Sequence, residues 1–150
     1  MGEKERERIF EVAGTAGDIL LRSGAEISRV DETMRRIACA YELENVSTFV
    51  LSNGIFLTSE VAGSNHQVRV RHIPLAGARL DRIDAVNGLS REIELGFFTP
   101  EEALEKLKEI EKMPQKPGWH QILAAGIGSG AFCFLFGGDV LDSLAAFLAG

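Results

Sequence analysis

WHQILAAGIGSGAFCFLFGG, residues 119–138, is the stretch on which the reading of the fold turns. These twenty consecutive residues carry no formal charge when His120 is neutral, and a helix needs about 20 such residues to cross the hydrocarbon of a bilayer. The centre, residues 122–136, is apolar or small throughout. Gly126 and Gly130 stand four apart on one helical face, the spacing that lets two membrane helices bring their backbones close. Trp119 and His120 suit the headgroup boundary. Beyond Gly137, Gly138 and Asp139 a second apolar run begins, VLDSLAAFLAG. The stretch therefore predicts one transmembrane helix at 119–138 and a second segment from 139, with the chain ending partway into a membrane domain.

Two other readings compete for the same residues. Gly126, Gly128 and Ala131 fit the G-x-G-x-x-G/A dinucleotide fingerprint, but that motif needs a preceding strand, a βαβ unit and an acidic residue about 20 positions on. The sequence offers none of the three. The other is a buried core helix, since an apolar centre of fifteen residues is short for a membrane span and its glycines are poor helix formers in water.

Charge divides the chain in the same place. Only Asp139 and Asp142 follow Lys116 as charged residues, so a charged α+β domain at 1–116 is expected before a membrane segment at 119–150. The 22 acidic against 16 basic residues argue against general affinity for nucleic-acid phosphates. MGEKERERIF at the start lacks the apolar core of a secretory signal. Lys106, Lys108, Lys112 and Lys116 precede the apolar stretch and only aspartates follow it, so the positive-inside rule places the N-terminal domain in the cytoplasm at the cell membrane. Cys39 and Cys133 fall in unlike settings, which argues against a disulfide framework.

Within the charged part, Ile9, Val12, Ala13, Ala16, Ile19 and Leu20 recur at helical spacing over residues 3–22. Gly24 suits the end of that helix, and Ser23 with Glu26 has capping-box spacing for the next. That second helix runs to about Tyr41, with Ile27, Val30, Met34, Ile37 and Tyr41 on its apolar face and Arg29, Glu32, Thr33 and Arg36 opposite. VSTFVL, IFLTSEV and HQVRVRHI then read as three strands. Asn53 and Gly54 suit a tight hairpin of two positive-φ residues, and residues 62–65 make the second turn. Val68 and Val70 are expected under the helices, with Arg69 and Arg71 facing water. Leu80, Ile83, Val86, Leu89 and Ile93 mark a third helix ending at Gly96. Thr99, Pro100, Glu101 and Glu102 start a fourth that Pro114 stops. The expected fold is α+β: an antiparallel three-stranded meander packed with about four amphipathic helices, the first three against one face of the sheet.

Most chemical signatures are missing. The sequence has no C-x-x-C, H-E-x-x-H, P-loop or G-x-S-x-G, and His66, His72 and His120 lack metal-ligand spacing. No metal, cofactor or catalytic set is expected. What remains is a polar constellation: Ser23, Glu26, Arg29, Glu32 and Arg36 on the first helix pair, with Asn87, Ser90 and Arg91 on the third helix. Its plainer reading is capping and solvated ion pairs, each contributing about 0–1 kcal/mol.

LLRSGAEISRVDETMRRIACAY at 20–41, DAVNGLSREI at 84–93 and GWHQILAAGIGSGAFCFLFGG at 118–138 together resemble the N-terminal half of the threonine/serine exporter family. The resemblance implies a cytoplasmic α+β domain followed by about five membrane helices, with a similar number from a second half or partner chain. It implies export of threonine, serine or related small carboxylates, with the eight polar residues binding or gating substrate. Partners are then the substrate, the membrane and the remaining transporter half. A homo-oligomer stays open, and nucleic acid is not expected. A tethered hydrolase and a regulatory binding module are the rival classes, but Ser23 and Ser90 have no base in sequence to make either a nucleophile.

Overall fold

The first helix, α1 (Glu3–Arg22), is the centre of its unit, with Val12, Ala13, Gly14, Ala16, Gly17, Ile19, Leu20 and Leu21 all buried along its second half. A helix with one apolar stripe needs one neighbour; α1 has four, because α2 (Ile27–Ala40), α3 (Leu80–Glu94), α4 (Pro100–Glu111) and the middle strand all pack on it. Small residues make that approach fit. A Cβ on Gly17 would collide with Met34 Sδ and lie 2.9 Å from Ile55 Cδ1. The computed structural model of the chain describes residues 2–43, 46–59, 67–74, 77–114 and 118–149, and for 67–69 the backbone alone. It divides into two compact units, Met1–Met113 and Pro114–Gly150.

In the first unit a sheet of β1 (Val46–Leu51), β2 (Gly54–Ser59) and β3 (Gln67–His72) is antiparallel in the order β1-β2-β3. One layer of helices, α1 with α2, covers β2 and β1, and a second layer, α3 with α4, packs on the first. The expected class, α+β with a three-stranded meander and four helices, is what this unit has. The third helix, however, does not lie on the sheet: α3 packs on α1, α2 and α4. Its buried Val86, Leu89 and Ile93 therefore face helices. The core holds Val30, Met34 and Ile37 as expected, together with Ile55, Leu57 and Ile73. Ile27 is exposed instead, because it opens α2 a turn before the helix reaches the core.

The third strand is turned over relative to its expected orientation. Arg71 stands opposite Ile55 and Val70 opposite Phe56; since Ile55 is buried under α1, the alternation of side chains puts Arg71 on the helix side and Val70 on the outside. Val70 is 60% exposed. The inward guanidinium finds a partner, Arg71 NH1 donating to Asp18 Oδ2 of α1 at 3.2 Å. Side chains at Val68 and Arg69, and the turn at 62–65, lie outside the described residues. The β1–β2 connection is also displaced by one residue: Leu51 pairs with Gly54, leaving Ser52 and Asn53 as the turn, and neither Asn53 nor Gly54 has positive φ. Gly54 serves close approach instead, as its Cβ would lie 3.2 Å from the Arg71 carbonyl.

Helix ends follow local chemistry. Gly24 and Gly96 take φ of 79° and 78° just past α1 and α3, the left-handed conformation a helix stop asks of glycine. At α4, Thr99 and Glu102 form the reciprocal capping box, Glu102 N donating to Thr99 Oγ1 at 3.3 Å and Thr99 N to Glu102 Oε2 at 2.9 Å. The box expected at α2 does not form: Glu26 is its N-cap, without a side-chain cap bond, and Ser23 ends α1. Tyr41, which closes α2, donates from its hydroxyl to the Phe98 carbonyl at 3.0 Å. Burial, then Glu101 and Glu102, push its pKa up to about 12.

The second unit is a helical hairpin, α5 (Gly118–Leu135) and α6 (Val140–Ala149). The single transmembrane helix expected at 119–138 is not what forms: among the described residues, no helix is long and apolar enough to cross a membrane. The 18 residues of α5 reach about 27 Å at 1.5 Å each, against roughly 30 Å of hydrocarbon, and the helix spends its first turn on His120 and Gln121. Gly137, at φ 91°, breaks it. Gly138 N donates to the Cys133 carbonyl at 3.0 Å, and Asp139 and Asp142 then cap α6 reciprocally at 2.9 and 3.2 Å. Two glycines bring the helices together, since a Cβ on Gly126 would lie 2.8 Å from the Phe147 carbonyl and one on Gly130 3.0 Å from that of Ser143.

Candidate functional site

The polar residues singled out from the sequence converge where the α1–α2 corner and α2 meet α3. Ser23 is buried, its carbonyl accepting from Arg79 N at 3.0 Å. A Cβ on Gly24 would lie 3.5 Å from Ala78 Cα, so this corner rests directly on the segment leading into α3. The Ser23 hydroxyl itself is buried without a hydrogen-bond partner. Along the seam, Thr33 donates to Asn87 Oδ1 at 3.3 Å and Ser90 to the Asn87 carbonyl at 2.9 Å. Thr33 therefore does not share the solvent face with Arg29; it is 3% exposed because α3 covers it. Arg36 closes the seam, 2.9 Å from Glu32 and 3.8 Å from Glu94.

The structure thus joins Glu32 with Arg36, and Asn87 with Ser90. Glu26, Arg29 and Arg91 stand apart in solvent: Glu26 accepts the Ser28 hydroxyl at 2.8 Å, and neither Arg29 nor Arg91 makes an ion pair among the described residues. An exposed guanidinium keeps its planar fork of donors for a carboxylate. No histidine or carboxylate meets the Ser23 or Ser90 hydroxyl among the described residues, and these hold no cluster of metal-ligating side chains.

Three polar clusters went unread in the sequence. Asp18 accepts from Arg22 Nε and NH2 at 3.2 and 2.8 Å as well as from Arg71. Only the Asp18–Arg22 spacing, four apart on a helix, was visible beforehand. Thr48 donates to Asp31 and accepts from Arg35 Nε at 2.9 Å, tying α2 to β1. Arg79 binds Asp81 through two parallel bonds of 2.9 Å and reaches the Met113 carbonyl at 3.2 Å. Arg82 adds bonds of 2.7 and 3.1 Å to the carbonyls of Glu111 and Met113, so two cations sit at the negative end of α4.

The hydrogen bond from Arg79 is the main cause that lowers the Asp81 carboxyl from 3.8 to about 2. A carboxyl depressed in the folded state stabilises fully above its unfolded pKa, and that contribution is lost as pH falls through the folded value. Thermal unfolding of wild type and Asp81→Asn should therefore differ by a constant amount above about pH 4 and converge as pH approaches about 2. Curves that stay equally separated through that window would remove the pair as their cause.

Set beside known proteins, the chain matches the family model of the threonine/serine exporter, ThrE, over residues 11–150. It is 28% identical over 144 residues to a threonine/serine exporter of Corynebacterium glutamicum, an alignment covering 93% of this chain and 29% of that protein. The chain thus spans less than a third of the length of the curated relative it matches. No solved structure matches it.

Proposed function

This chain belongs to the threonine/serine exporter family, and on that premise we propose that it supplies the α+β domain and the apolar hairpin of a secondary exporter. The cargo is threonine, serine or a related small carboxylate. The observation that carries this reading beyond family membership is the hairpin itself: Ile122, Ile127, Phe132, Phe134, Val140, Leu141, Leu144 and Leu148 are all exposed in the chain. Helices apolar on every side belong in a protein core or among membrane helices, and here they join the membrane-embedded body contributed by the rest of the exporter. Lys106, Lys108 and Lys112 before the hairpin orient the α+β domain to the cytoplasm. The remaining transporter half or a partner chain completes the pathway, because polar cargo in hydrocarbon needs several helices around it.

In the same proposal the α2–α3 seam is the cytoplasmic mouth. Arg29 and Arg91 receive the substrate carboxylate, Glu26 and Glu32 its ammonium, while Ser23, Arg36, Asn87 and Ser90 hold the two helices in place. A zwitterion needs both signs within one small surface. Hydrogen bonds to charged groups are worth about 1.5–3 kcal/mol, so Arg29→Gln should lower threonine efflux from cells carrying the whole exporter about tenfold or more, with thermal stability unchanged. Glu26→Gln should act in the same direction. Normal efflux in both variants would return the substrate site to the membrane helices, and no threonine or serine efflux from the wild type would sink the export reading itself.

A further inference from the structure

We propose that the outer face of the three-stranded sheet is a contact surface between two copies of this chain, packed sheet against sheet. Antiparallel sheets with one covered face ordinarily turn polar residues to water on the other. This one does not. Register places Phe49, Phe56 and Val70 in one row across all three strands, with the Phe49 and Phe56 rings 6.1 Å apart. Phe49 is 62% exposed and Leu51, in the same strand and on the same face, 40%. The other outward positions with described side chains are Ser47, Thr58 and His72. In a chain of which a quarter is charged, this face holds no carboxylate, ammonium or guanidinium among those positions.

That neutrality selects the occupant. A two-fold interface sets the same patch against itself, and like charges facing each other across it are destabilising; an uncharged apolar row flanked by hydroxyls meets its own copy without that cost. A charged partner would find no complementary group there. Two such sheets pack about 10 Å apart with strands within about 30° of one another. Strands of roughly 20 Å, spaced about 4.8 Å, give a footprint of only roughly 280 Å², well below the ~800 Å² per partner of a standard stable interface. The contact is accordingly weak between free chains and becomes populated when two chains are held together in one assembly, where effective concentrations reach the millimolar range. This pairing is independent of the cargo and of the transport reading.

Sedimentation equilibrium of the full chain in a mild detergent should show reversible dimerisation with a dissociation constant on the order of 0.1–1 mM. Phe49→Lys and Val70→Lys, both at exposed positions and checked for unchanged circular dichroism, should each weaken it at least tenfold. As a second readout, Thr58→Cys in a chain carrying Cys39→Ser and Cys133→Ala should cross-link to itself on mild oxidation, while Glu109→Cys on α4 should not. A wild type that stays monomeric throughout and fails to cross-link overturns the proposal, since the face is then covered from within its own chain or left bare. A dimer unaffected by either lysine overturns it too, because association then runs through another surface such as the apolar hairpin.

Discussion

Replacing Ile37 by alanine is expected to lower the stability of the α+β unit by about 2–5 kcal/mol, the cost of lost burial plus the cavity left in a packed interior. Ile37 is 1% exposed in the middle of α2, and its neighbours on that face, Val30 and Met34, are fully buried. The same helix supplies its own control in Ile27, which is 43% exposed and where truncation should stay within about 0.5 kcal/mol. Urea unfolding followed by circular dichroism separates the two. A cost below about 1 kcal/mol at Ile37, or equal costs at both positions, would mean that α2 buries another face. A large drop would also explain weakened export in such a variant without any role for Ile37 in the pathway.

What the sequence could and could not disclose follows from how each signal arises. Helix periodicity with local stops was sufficient for α1, α3 and α4, because Gly24, Gly96 and the Thr99 box act on their own backbone whatever packs around them. Strand orientation is different in kind. HQVRVRHI alternates valine with arginine, and alternation alone does not say which set faces inward; pairing with β2 decides it, and Asp18, fifty-three residues from Arg71 in sequence, makes the inward arginine tolerable. The same limit applied to Thr33, whose burial depends on α3 arriving beside α2. Ser52–Asn53 replaced Asn53–Gly54 as the turn because Gly54 was needed against the β3 backbone. The polar constellation was legible as composition and not as geometry: its members lie on the two helices expected, yet Glu32 is engaged by Arg36, while Arg29 and Arg91 remain exposed.

Enlarging Gly126 is expected to be the most damaging single change in the second unit. A Cβ there would come within 2.8 Å of the Phe147 carbonyl and 3.1 Å of its ring, and backbone cannot swing aside as the end of a flexible side chain can. Overpacking of this kind costs about 1–3 kcal/mol or more, and α5 and α6 have few other features to hold them, since their remaining surface is exposed. Gly130, four residues along, faces the Ser143 carbonyl at 3.0 Å and should respond in the same direction. Gly128 lies on the other side of α5 with nothing within 4 Å of its Cβ position. Alanine there should be neutral or should stabilise the helix by up to about 1 kcal/mol. The comparison is therefore among leucine at 126, leucine at 130 and alanine at 128, measured as thermal stability of the full chain in detergent and as threonine efflux from the whole exporter. Efflux should fall about tenfold or more for Gly126→Leu and remain near wild type for Gly128→Ala. If all three variants behaved alike, the close crossing of α5 on α6 would not be what the glycines are there to permit.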